Sequence, residues 1–384
     1  MDKKVILILG GYGNTGRPLA RLLLQESDVQ LVLAGRNLEK AQAYASELNN
    51  SFESHRVSGE RVDASDMAQL KQAFSAVDLV VVASSTTQFT RQVATAALEA
   101  RIDYLDVQYS PSKIALLKSM AVEIEQSGCR FITDGGFHPG LPACLVRFAA
   151  RFFDQLEIAR VGSVIKEDWK GLNVDDSTVA ELVDLINDFE MSTFKGGKWQ
   201  KINLFSTSGY IRMDFGERFG RQFCAPMMLE EMRALPGLYP SLNDTGFYVG
   251  SFNWFTDWVV MPISMAAMKL WPRSARGPMS RWMHWGLNTF SKPPFGTLLR
   301  LEAQGKKDGQ PKTVQVTISH PDGYLFTAIP VAACLLQYLD GSLDKPGLWL
   351  QALVVEPIRM MQDMRRMGVE VHITGGGTYE MEPQ

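Results

Sequence analysis

The sequence predicts an α/β protein of two domains, a doubly wound parallel sheet followed by an α+β domain with a mostly antiparallel sheet. Short apolar runs alternate with segments of helical periodicity through residues 1–135, which is typical of a parallel sheet covered by helices on both faces. Hairpin signals dominate the region after residue 157. The length of 384 residues also exceeds what one hydrophobic core usually serves.

Strands and helices are predicted to alternate in the first domain. A weak strand ends near Val62, and stronger ones lie at Val5–Leu9, Leu31–Ala34, Leu79–Ala83, Tyr104–Val107 and Arg130–Thr133. Apolar residues at helical spacing predict helices over Arg17–Gln25, Leu38–Leu48, Met67–Phe74, Thr90–Glu99 and Ser112–Ser127. Ligands of such sheets bind at the carboxyl ends of the strands, so we expect the site in the loops that follow them.

A cluster of glycines follows the first strand. It consists of Gly10, Gly11, Gly13 and Gly16, and the residues between them are Tyr12, Asn14 and Thr15. The cluster fits GxGxxG from its second glycine and GxxGxxG from its first. Without Cβ atoms the backbone can approach a pyrophosphate closely, and the helix that begins near Asn14 or Thr15 directs N–H groups at it. The strand–loop–helix context favours a Rossmann-type dinucleotide site over a tight turn without a ligand.

The loop after the second strand predicts which dinucleotide binds. An NAD site would place Asp or Glu there, where the carboxylate accepts hydrogen bonds from the ribose 2′-hydroxyl. This chain has Gly35, Arg36 and Asn37 instead, and a guanidinium at position 36 can bind a 2′-phosphate. The nearest acid, Glu39, lies inside the next helix. The sequence therefore predicts NADP(H), and a solvated surface Arg36 is the alternative.

Two further loops at this edge are predicted to contact the cofactor. Asp63 follows the third strand, and we expect it beside the adenine. Ala83, Ser84 and Ser85 follow the fourth strand, and we expect them on the nicotinamide side. The hydroxyls of this second loop fit the N-cap of a helix equally well.

The segment YSPSK fits the YxxxK pattern of short-chain dehydrogenases, in which Tyr donates a proton and Lys lowers its pKa. In that family the Tyr lies well inside a long helix. Here Tyr109 follows the fifth strand almost at once, and Pro111 favours a helix start. A short-chain dehydrogenase-like enzyme that uses Tyr109 and Lys113 is therefore an alternative interpretation.

Several segments resemble, in the same order, the saccharopine dehydrogenase (reductase) family: GGYGNTGRPLARLL, LAGRNLEKAQ, DLVVVAS, EARIDYLDV and DGGFHPGLPACLVRFAA. Near the C-terminus, LRLEAQGKKDGQP, DGYLFTAIPVAACLL and GVEVH resemble that family's second half. The resemblance implies a cofactor between two domains, and a second domain that carries the substrate site and a dimer contact. The family commonly has YVDLTGE after the fifth strand, whereas Tyr109 and Ser110 replace the final Gly-Glu here. The resemblance therefore implies the fold and the cofactor and leaves the substrate open.

The domain limits are predicted as 1–135 for the NADP-binding domain and 136–345 for the substrate and dimerisation domain. Residues 346–384 form a C-terminal segment whose return to the first domain is left open. A helix is predicted over Pro142–Phe153. Strand signals and tight turns occur at Ile158–Lys166, Phe194–Trp199, Gly246–Phe252, Leu298–Gln304, Lys307–Gly309 and Thr313–Ser319.

His138 precedes the predicted helix of the second domain and is the histidine that we expect near the cofactor. An imidazole can donate or accept a proton near neutral pH, so His138 and Tyr109 are the candidates for proton handling. A loop histidine that hydrogen-bonds to the backbone is the alternative for His138.

A stretch rich in tryptophan covers residues 252–295 and holds five of the eight tryptophans of the chain. Aromatic, Met and Arg residues of this kind occur at dimer interfaces, in lids over apolar substrates and in interfacial helices that contact lipid. Plain core packing is the fourth interpretation.

The function predicted from these features is an NADP(H)-dependent oxidoreductase that transfers hydride to or from a C=N, C=O or C=C bond of a small-molecule substrate. Lipid-like enones are one option, given the Trp-rich stretch. The net charge of -3 argues against nucleic acid, and the four Cys residues lack metal-ligand spacing. We expect a cytoplasmic homodimer, with peripheral membrane contact left open. A non-catalytic NADP sensor or docking protein is the alternative.

Overall fold

The structure, a computed structural model, describes residues 3–169, 190–203 and 209–376, without the side chains of residues 272 and 273. The chain divides into two units by its internal contacts. Unit 1 combines Met1–Leu141 with Tyr324–Met367, and unit 2 combines Pro142–Gly323 with Gly368–Gln384. No helix in the described ranges is long and apolar enough to cross a membrane.

Unit 1 is built on a parallel sheet of seven described strands: β1 (Val5–Leu9), β2 (Gln30–Gly35), β3 (Val57–Arg61), β4 (Leu79–Val82), β5 (Asp103–Asp106), β6 (Arg130–Thr133) and β15 (Gly347–Leu350). The strand order is β15-β6-β5-β4-β1-β2-β3, so the winding direction reverses between β1 and β4. In doubly wound sheets, ligands bind at the strand ends beside this reversal.

The helices of this unit connect or flank its strands. They are α1 (Gly16–Glu26), α2 (Leu38–Ser51), α3 (Met67–Phe74), α4 (Thr90–Ala100), α5 (Pro111–Ser119), α6 (Ala121–Ser127), α12 (Gly323–Leu339), α13 (Gln351–Val354) and α14 (Pro357–Arg366), with a 3₁₀ turn at Thr87–Phe89. These helices cover the sheet, and every residue of β4 is buried. Continuous aliphatic runs are therefore tolerated in its central strands.

The predicted strands of the first domain are all present, each within one residue of its predicted limits. The single helix predicted over Ser112–Ser127 was wrong, because the structure has two helices that meet at Met120. The N–H of Met120 donates to the carbonyl of Leu117, three residues back, which tightens the last turn and ends α5. The helix predicted over Pro142–Phe153 ends earlier, at Ala150, where the same kind of turn occurs.

Unit 2 is built on a mostly antiparallel sheet, as predicted. Its strands are β7 (Gln155–Lys166), β8 (Ser192–Lys195), β9 (Lys198–Lys201), β10 (Ile211–Asp214), β11 (Arg221–Met227), β12 (Asp244–Val249), β13 (Gly296–Lys307), β14 (Gln310–His320) and β16 (Glu370–Thr374). The order is β10-β11-β12-β7-β13-β14-β16, and β8 joins β12 and β9. Among the described pairs of this sheet, β12 with β7 is parallel and the others are antiparallel.

The helices of unit 2 are α7 (Pro142–Ala150), α8 (Gly216–Phe219), α9 (Leu235–Leu238), α10 (Met261–Leu270) and α11 (Pro272–Phe290). A 3₁₀ segment covers Glu230–Ala234, and a π-helical turn at Thr256–Val260 leads into α10. The long hairpin of β13 and β14 closes at Asp308 and Gly309, which both have positive φ, as the predicted turn requires.

The limits of the two units differ from the domain limits that we expected. The first unit extends to Leu141 rather than 135, and the chain returns to it at Tyr324 rather than after 346. The hydroxyl of Tyr338 in α12 donates to Asp103 at 2.7 Å, and the guanidinium of Arg130 lies 4.4 Å from the Tyr338 ring centroid. These contacts join residues more than 200 positions apart, so local sequence patterns do not reveal them. Residues 377–384 lie outside the described part of the chain.

Candidate functional site

The glycine loop brings the start of α1 against the end of β1. A Cβ atom at Gly16 would overlap the carbonyl oxygen of Gly10, and one at Gly10 would lie 2.8 Å from Cβ of Ser84. Gly10 also has a φ of +90°, which side chains disfavour. Gly13 is less crowded, with the Gly10 oxygen 3.1 Å from its Cβ position. These steric contacts favour reading the motif as GxxGxxG from Gly10. Gly11 is explained by packing instead, because a Cβ atom there would lie 3.0 Å from Leu33.

The first turn of α1 keeps its N–H groups unused. Over the ranges that the structure describes, the N–H groups of Asn14, Thr15 and Gly16 donate to no protein acceptor. Thr15 is the N-cap but makes no side-chain cap, whereas α2, α3, α5 and α14 are capped by Asn37, Asp66, Ser110 and Glu356. An uncapped helix N-terminus carries partial positive charge, so this one is suited to bind a phosphate.

Tyr12 joins the glycine loop to the end of β2. Its ring lies directly over Gly35, where a Cβ atom would be 2.6 Å from the Tyr12 hydroxyl. That hydroxyl accepts the N–H of Asn37 at 2.9 Å, and the Asn37 side chain in turn accepts the N–H of Lys40 at 2.8 Å. Asn37 is therefore occupied as the cap of α2. The loop that carries Arg36 is thus held in place by hydrogen bonds on both sides.

Arg36 and Asp63 extend this edge toward β3. Arg36 is exposed, and it makes no salt bridge within the described ranges. Hydrogen bonds from Ser65 lower the pKa of Asp63, and the positive charge of Arg36 adds to the effect, so these two predicted residues lie within electrostatic range of each other. An exposed guanidinium without an acidic partner is available to bind an added phosphate.

The loop after β4 contacts the glycine loop from the other side. The N–H of Ala83 donates to the carbonyl of Leu9 at 2.9 Å, and the Ser84 and Thr86 hydroxyls lie 3.0 Å apart. Gln108, which follows β5, donates its side-chain amide to the carbonyl of Ser84. Neither the 3₁₀ turn nor α4 has a side-chain cap, so these hydroxyls are not N-caps. Ser85 is exposed at this strand end.

A buried ion cluster fixes the ends of β5 and β6. The ammonium of Lys113 is fully buried and lies 2.5 Å from a carboxylate oxygen of Asp106 and 2.9 Å from one of Asp134. The hydroxyls of Tyr104 and Thr133 donate to the second oxygen of Asp106 at 2.9 and 2.7 Å. Each charged group is therefore matched by partners, as a buried ion requires.

The electrostatics of the cluster keep Lys113 charged. Burial alone would lower the pKa of Lys113, but the two carboxylates outweigh it, so that pKa is raised above the ordinary value for lysine. Burial and the adjacent Asp106 raise the pKa of Tyr104 well above its usual range. The cluster thus acts as a fixed structural element at neutral pH.

This arrangement does not fit the short-chain dehydrogenase interpretation. Tyr109 lies in the loop before α5, which begins at Pro111, rather than inside a helix. Lys113 is enclosed by Asp106, Asp134 and the carbonyl of Gln108. Its ammonium serves this cluster and is not available to lower the pKa of a catalytic tyrosine.

The loop that follows β6 is shaped by glycines and by one glutamine. Gly136 and Gly140 have positive φ, and Gln351 bonds to both, accepting the N–H of Gly136 and donating to the two carbonyls at 3.1 and 3.2 Å. His138 lies within this loop, with ring nitrogens that solvent does not reach. Burial lowers the pKa of His138 to about 4, so its imidazole is neutral at physiological pH.

Sequence reasoning missed several residues that shape this edge of unit 1. Asp106 and Asp134 directly follow or end buried strands, which was a readable signal for polar residues at the ligand edge. Gln108, Gln351 and Tyr324 carried no local signal. The hydroxyl of Tyr324 accepts the amide of Asn14 at 3.1 Å across 310 residues of sequence. Their roles depend on chain segments that meet only in the folded protein.

We predict that Lys113→Met lowers the free energy of unfolding by about 3–5 kcal/mol, because it leaves two buried carboxylates without a cation. Urea denaturation followed by circular dichroism measures the change. The matched control is Lys118→Met on the exposed side of the same helix, which should change stability by less than about 0.5 kcal/mol. Equal stabilities of the two variants would contradict a structural role for the cluster.

We predict a pH dependence of stability that originates at His138. Between pH 6.5 and about 4 the unfolded chain binds a proton at this histidine and the folded chain does not. Stability therefore falls as pH falls through this window, by up to about 1.4 kcal/mol per pH unit. Denaturation at several pH values should show a shallower slope for His138→Gln. The exposed His55→Gln is the control, and a slope unchanged in the His138 variant would refute the assignment.

Comparisons with known proteins agree with this geometry. Residues 6–126 match the family model of the saccharopine dehydrogenase NADP binding domain. Apo saccharopine dehydrogenase (L-Glu forming) from Saccharomyces cerevisiae is similar in structure, with a TM-score of 0.68 and 14% identity over 97% of this chain and 100% of that one. At this identity the likeness shows the fold alone. Among curated protein sequences, none matches significantly.

Two other solved structures are more distant. A variant meso-dapdh with DAP from Clostridium tetani E88 has a TM-score of 0.47 and 13% identity, over 95% of this chain and 99% of that one. A dehydrogenase from Chromobacterium violaceum has a TM-score of 0.46 and 11% identity, over 96% and 94% of the two chains. The match over residues 6–126 agrees with the predicted family resemblance and supports the predicted cofactor, NADP, and the yeast structure shows the predicted fold.

Proposed function

We propose that the protein is an NADP(H)-dependent oxidoreductase that transfers hydride to or from a C=N, C=O or C=C bond of a small-molecule substrate. The observation that carries the proposal is the uncapped N-terminus of α1 behind Gly10 and Gly16, in a domain that matches an NADP-binding family. The similar yeast structure is a saccharopine dehydrogenase, which supports the same reaction class.

The residues of unit 1 fit a bound dinucleotide. The N–H groups of Asn14, Thr15 and Gly16 would bind the pyrophosphate, because no protein group in the described ranges competes for them. Arg36 would bind the 2′-phosphate, and the loop of Ala83 and Ser84 flanks the glycine loop from the opposite side. When bound, the nicotinamide supplies the hydride, and the protein binds and orients the reactants.

Tyr109 and His138 remain the proposed proton-handling residues. With a pKa of about 4, His138 is a neutral imidazole and a weak base at pH 7, so its proposed part is to donate or accept a hydrogen bond to the reacting group rather than to act as a general acid. Tyr109 is partly buried and directly follows Gln108, whose carbonyl accepts a hydrogen bond from the Lys113 ammonium. The substrate of the saccharopine enzymes is not transferred to this chain, because Tyr109 and Ser110 replace the Gly-Glu that is common in the family.

A non-catalytic NADP-binding sensor is the second candidate. The carboxylates at the strand ends, Asp106 and Asp134, are both committed to Lys113, so neither is available as a general base. This observation favours a site that binds the cofactor without turnover. The two functions differ in whether NADPH is consumed.

We predict that Arg36→Ala weakens binding of NADP by about 10- to 100-fold and leaves the affinity for NAD unchanged, because the charge-assisted hydrogen bonds to the 2′-phosphate are lost. Titration calorimetry with both dinucleotides measures the preference. Arg365→Ala, an exposed arginine in α14 of the same unit, is the matched control and should bind as the parent does. A retained preference for NADP in the Arg36 variant would remove the assignment.

We predict that the purified protein oxidises NADPH in the presence of at least one member of a panel of imines, ketones and enones. The decrease in absorbance of NADPH measures turnover, and a Gly16→Val variant, which cannot hold the loop, serves as the inactive control. NADPH binding without consumption across the whole panel would favour the sensor.

A further inference from the structure

The hairpin of α10 and α11, with the turn that precedes it, forms a distinct feature of unit 2, which we call the Trp hairpin (residues 254–290). Its base is closed by Phe255 and Phe290, which stack with their ring centroids 4.4 Å apart, and Trp285 packs edge-on against Phe255 at 5.4 Å. A small core of its own joins the two helices, including Val260, Met268, Met283 and Leu287. The feature is therefore held in one shape by its own contacts.

The buried face of the first helix of the hairpin carries polar side chains as well as apolar ones. Thr256, Val260, Ser264 and Met268 recur every four residues and are all buried against the second helix. Two of these side chains are hydroxyls that find no hydrogen-bond partner in the described structure. Polar groups on an inner face are unusual for a helix packed on a protein core.

The outer face carries the large apolar side chains. Trp254, Trp258, Ile263, Leu270 and Trp271 are 63%, 69%, 49%, 65% and 62% exposed. They lie 4, 5, 7 and 1 positions apart in the chain, and we call these five exposed side chains together the apolar stripe. A helix that faces water normally shows polar residues on this side. An exposed stripe of large apolar side chains indicates a surface that another apolar phase covers.

Basic residues outnumber acidic ones in the hairpin, where Asp257 is the one acid. Residues 258–295 contain no Asp or Glu, and their basic residues are Lys269, Arg273, Arg276, Arg281 and Lys292. Lys269 is exposed beside Leu270 and Trp271 at the tip of the hairpin, and Arg281 is exposed on α11. Asp257, just before this range, is turned inward, with hydrogen bonds from Ser251 and the N–H of Phe252. The exposed charged side chains that the structure describes on the hairpin are therefore all cationic.

We propose that the Trp hairpin docks onto an anionic lipid surface, lying flat in the interface with its Trp stripe among the acyl chains and its lysine and arginine side chains at the headgroups. Tryptophan favours this interfacial depth, and long basic side chains extend to the phosphates. The stripe from Trp254 to Leu270 spans about 24 Å at 1.5 Å per residue, which suits a helix parallel to the surface. Among the described helices none can span the bilayer, so the contact is peripheral.

A second copy of the chain fits this surface less well. A two-fold dimer places the same patch on both partners, so its basic side chains would meet a second set of the same sign, with no acidic residue between positions 258 and 295 to offset them. An anionic membrane supplies the missing negative charge, worth about 1 kcal/mol for each basic residue near the surface. Charge complementarity therefore selects the lipid surface as the occupant.

The test is flotation of the full-length protein with vesicles of phosphatidylcholine and with vesicles of equimolar phosphatidylcholine and phosphatidylglycerol. We expect flotation with the anionic vesicles, reduced by high salt, and quenching of tryptophan fluorescence by brominated acyl chains. The double variant Trp258→Ser/Trp271→Ser should bind the anionic vesicles at least about tenfold more weakly. Lys269→Glu/Arg281→Glu should lose most of the preference for anionic lipid.

Matched controls separate the hairpin from general surface effects. Phe223→Ser/Leu238→Ser removes two side chains that are each 53% exposed elsewhere in unit 2, and Lys195→Glu/Lys198→Glu reverses charges on the hairpin of β8 and β9. Both should bind vesicles as the parent does. The proposal is overturned if the parent stays at the bottom of the gradient, or if the control variants lose binding equally. It is also overturned if sedimentation shows a dimer that Trp258→Ser/Trp271→Ser dissociates while the parent ignores vesicles.

Discussion

The contact of two backbone segments at Gly10 and Gly16 is the constraint on which the cofactor site depends. Because neither residue has a Cβ atom, α1 begins directly against the end of β1, and its first N–H groups donate to no acceptor in the described part of the chain. The loop after β4 closes on the same point from the other side, through Ala83 and Ser84. One steric requirement thus sets the path of the loop and leaves an unneutralised helix terminus at the switch point of the sheet.

The charged residues at this edge of unit 1 are of two kinds, one exposed to a ligand and the others buried in the structure. Arg36 is exposed and without a salt bridge in the described ranges, so its charge is available to a ligand. The ammonium of Lys113 and the carboxylates of Asp106 and Asp134 are enclosed and neutralise one another, apart from one negative charge. These groups hold the ends of β5 and β6 together, and Gln108 extends their hold to the loop of Ser84. The buried charges of Lys113, Asp106 and Asp134 therefore hold the strands in place, whereas the exposed charge of Arg36 is left for a ligand.

Unit 2 contributes a surface of different character. The Trp hairpin has hydroxyls on its packed face and tryptophans on its outer face, the reverse of an ordinary surface helix. A protein with such a surface and a cofactor site for hydride chemistry would meet an apolar substrate where that substrate is concentrated. That combination is consistent with the lipid-like option raised by the sequence, and it rests on both proposals.

The sequence by itself determined the parallel sheet and the glycine loop and predicted NADP as the cofactor, because each depends on residues adjacent in the chain. Apolar runs specify buried strands, glycines specify a close backbone approach, and the residue at the end of the second strand indicates which ribose would bind. The sequence did not reveal the break between α5 and α6 at Met120, because the helical pattern of apolar residues continues through that position. Only the tertiary structure decided that Lys113 is a structural ion, that Tyr324 and Gln351 contact the glycine loop and the His138 loop, and that α12 belongs to unit 1. Those facts depend on burial and on contacts between segments far apart in sequence, and no local pattern encodes either.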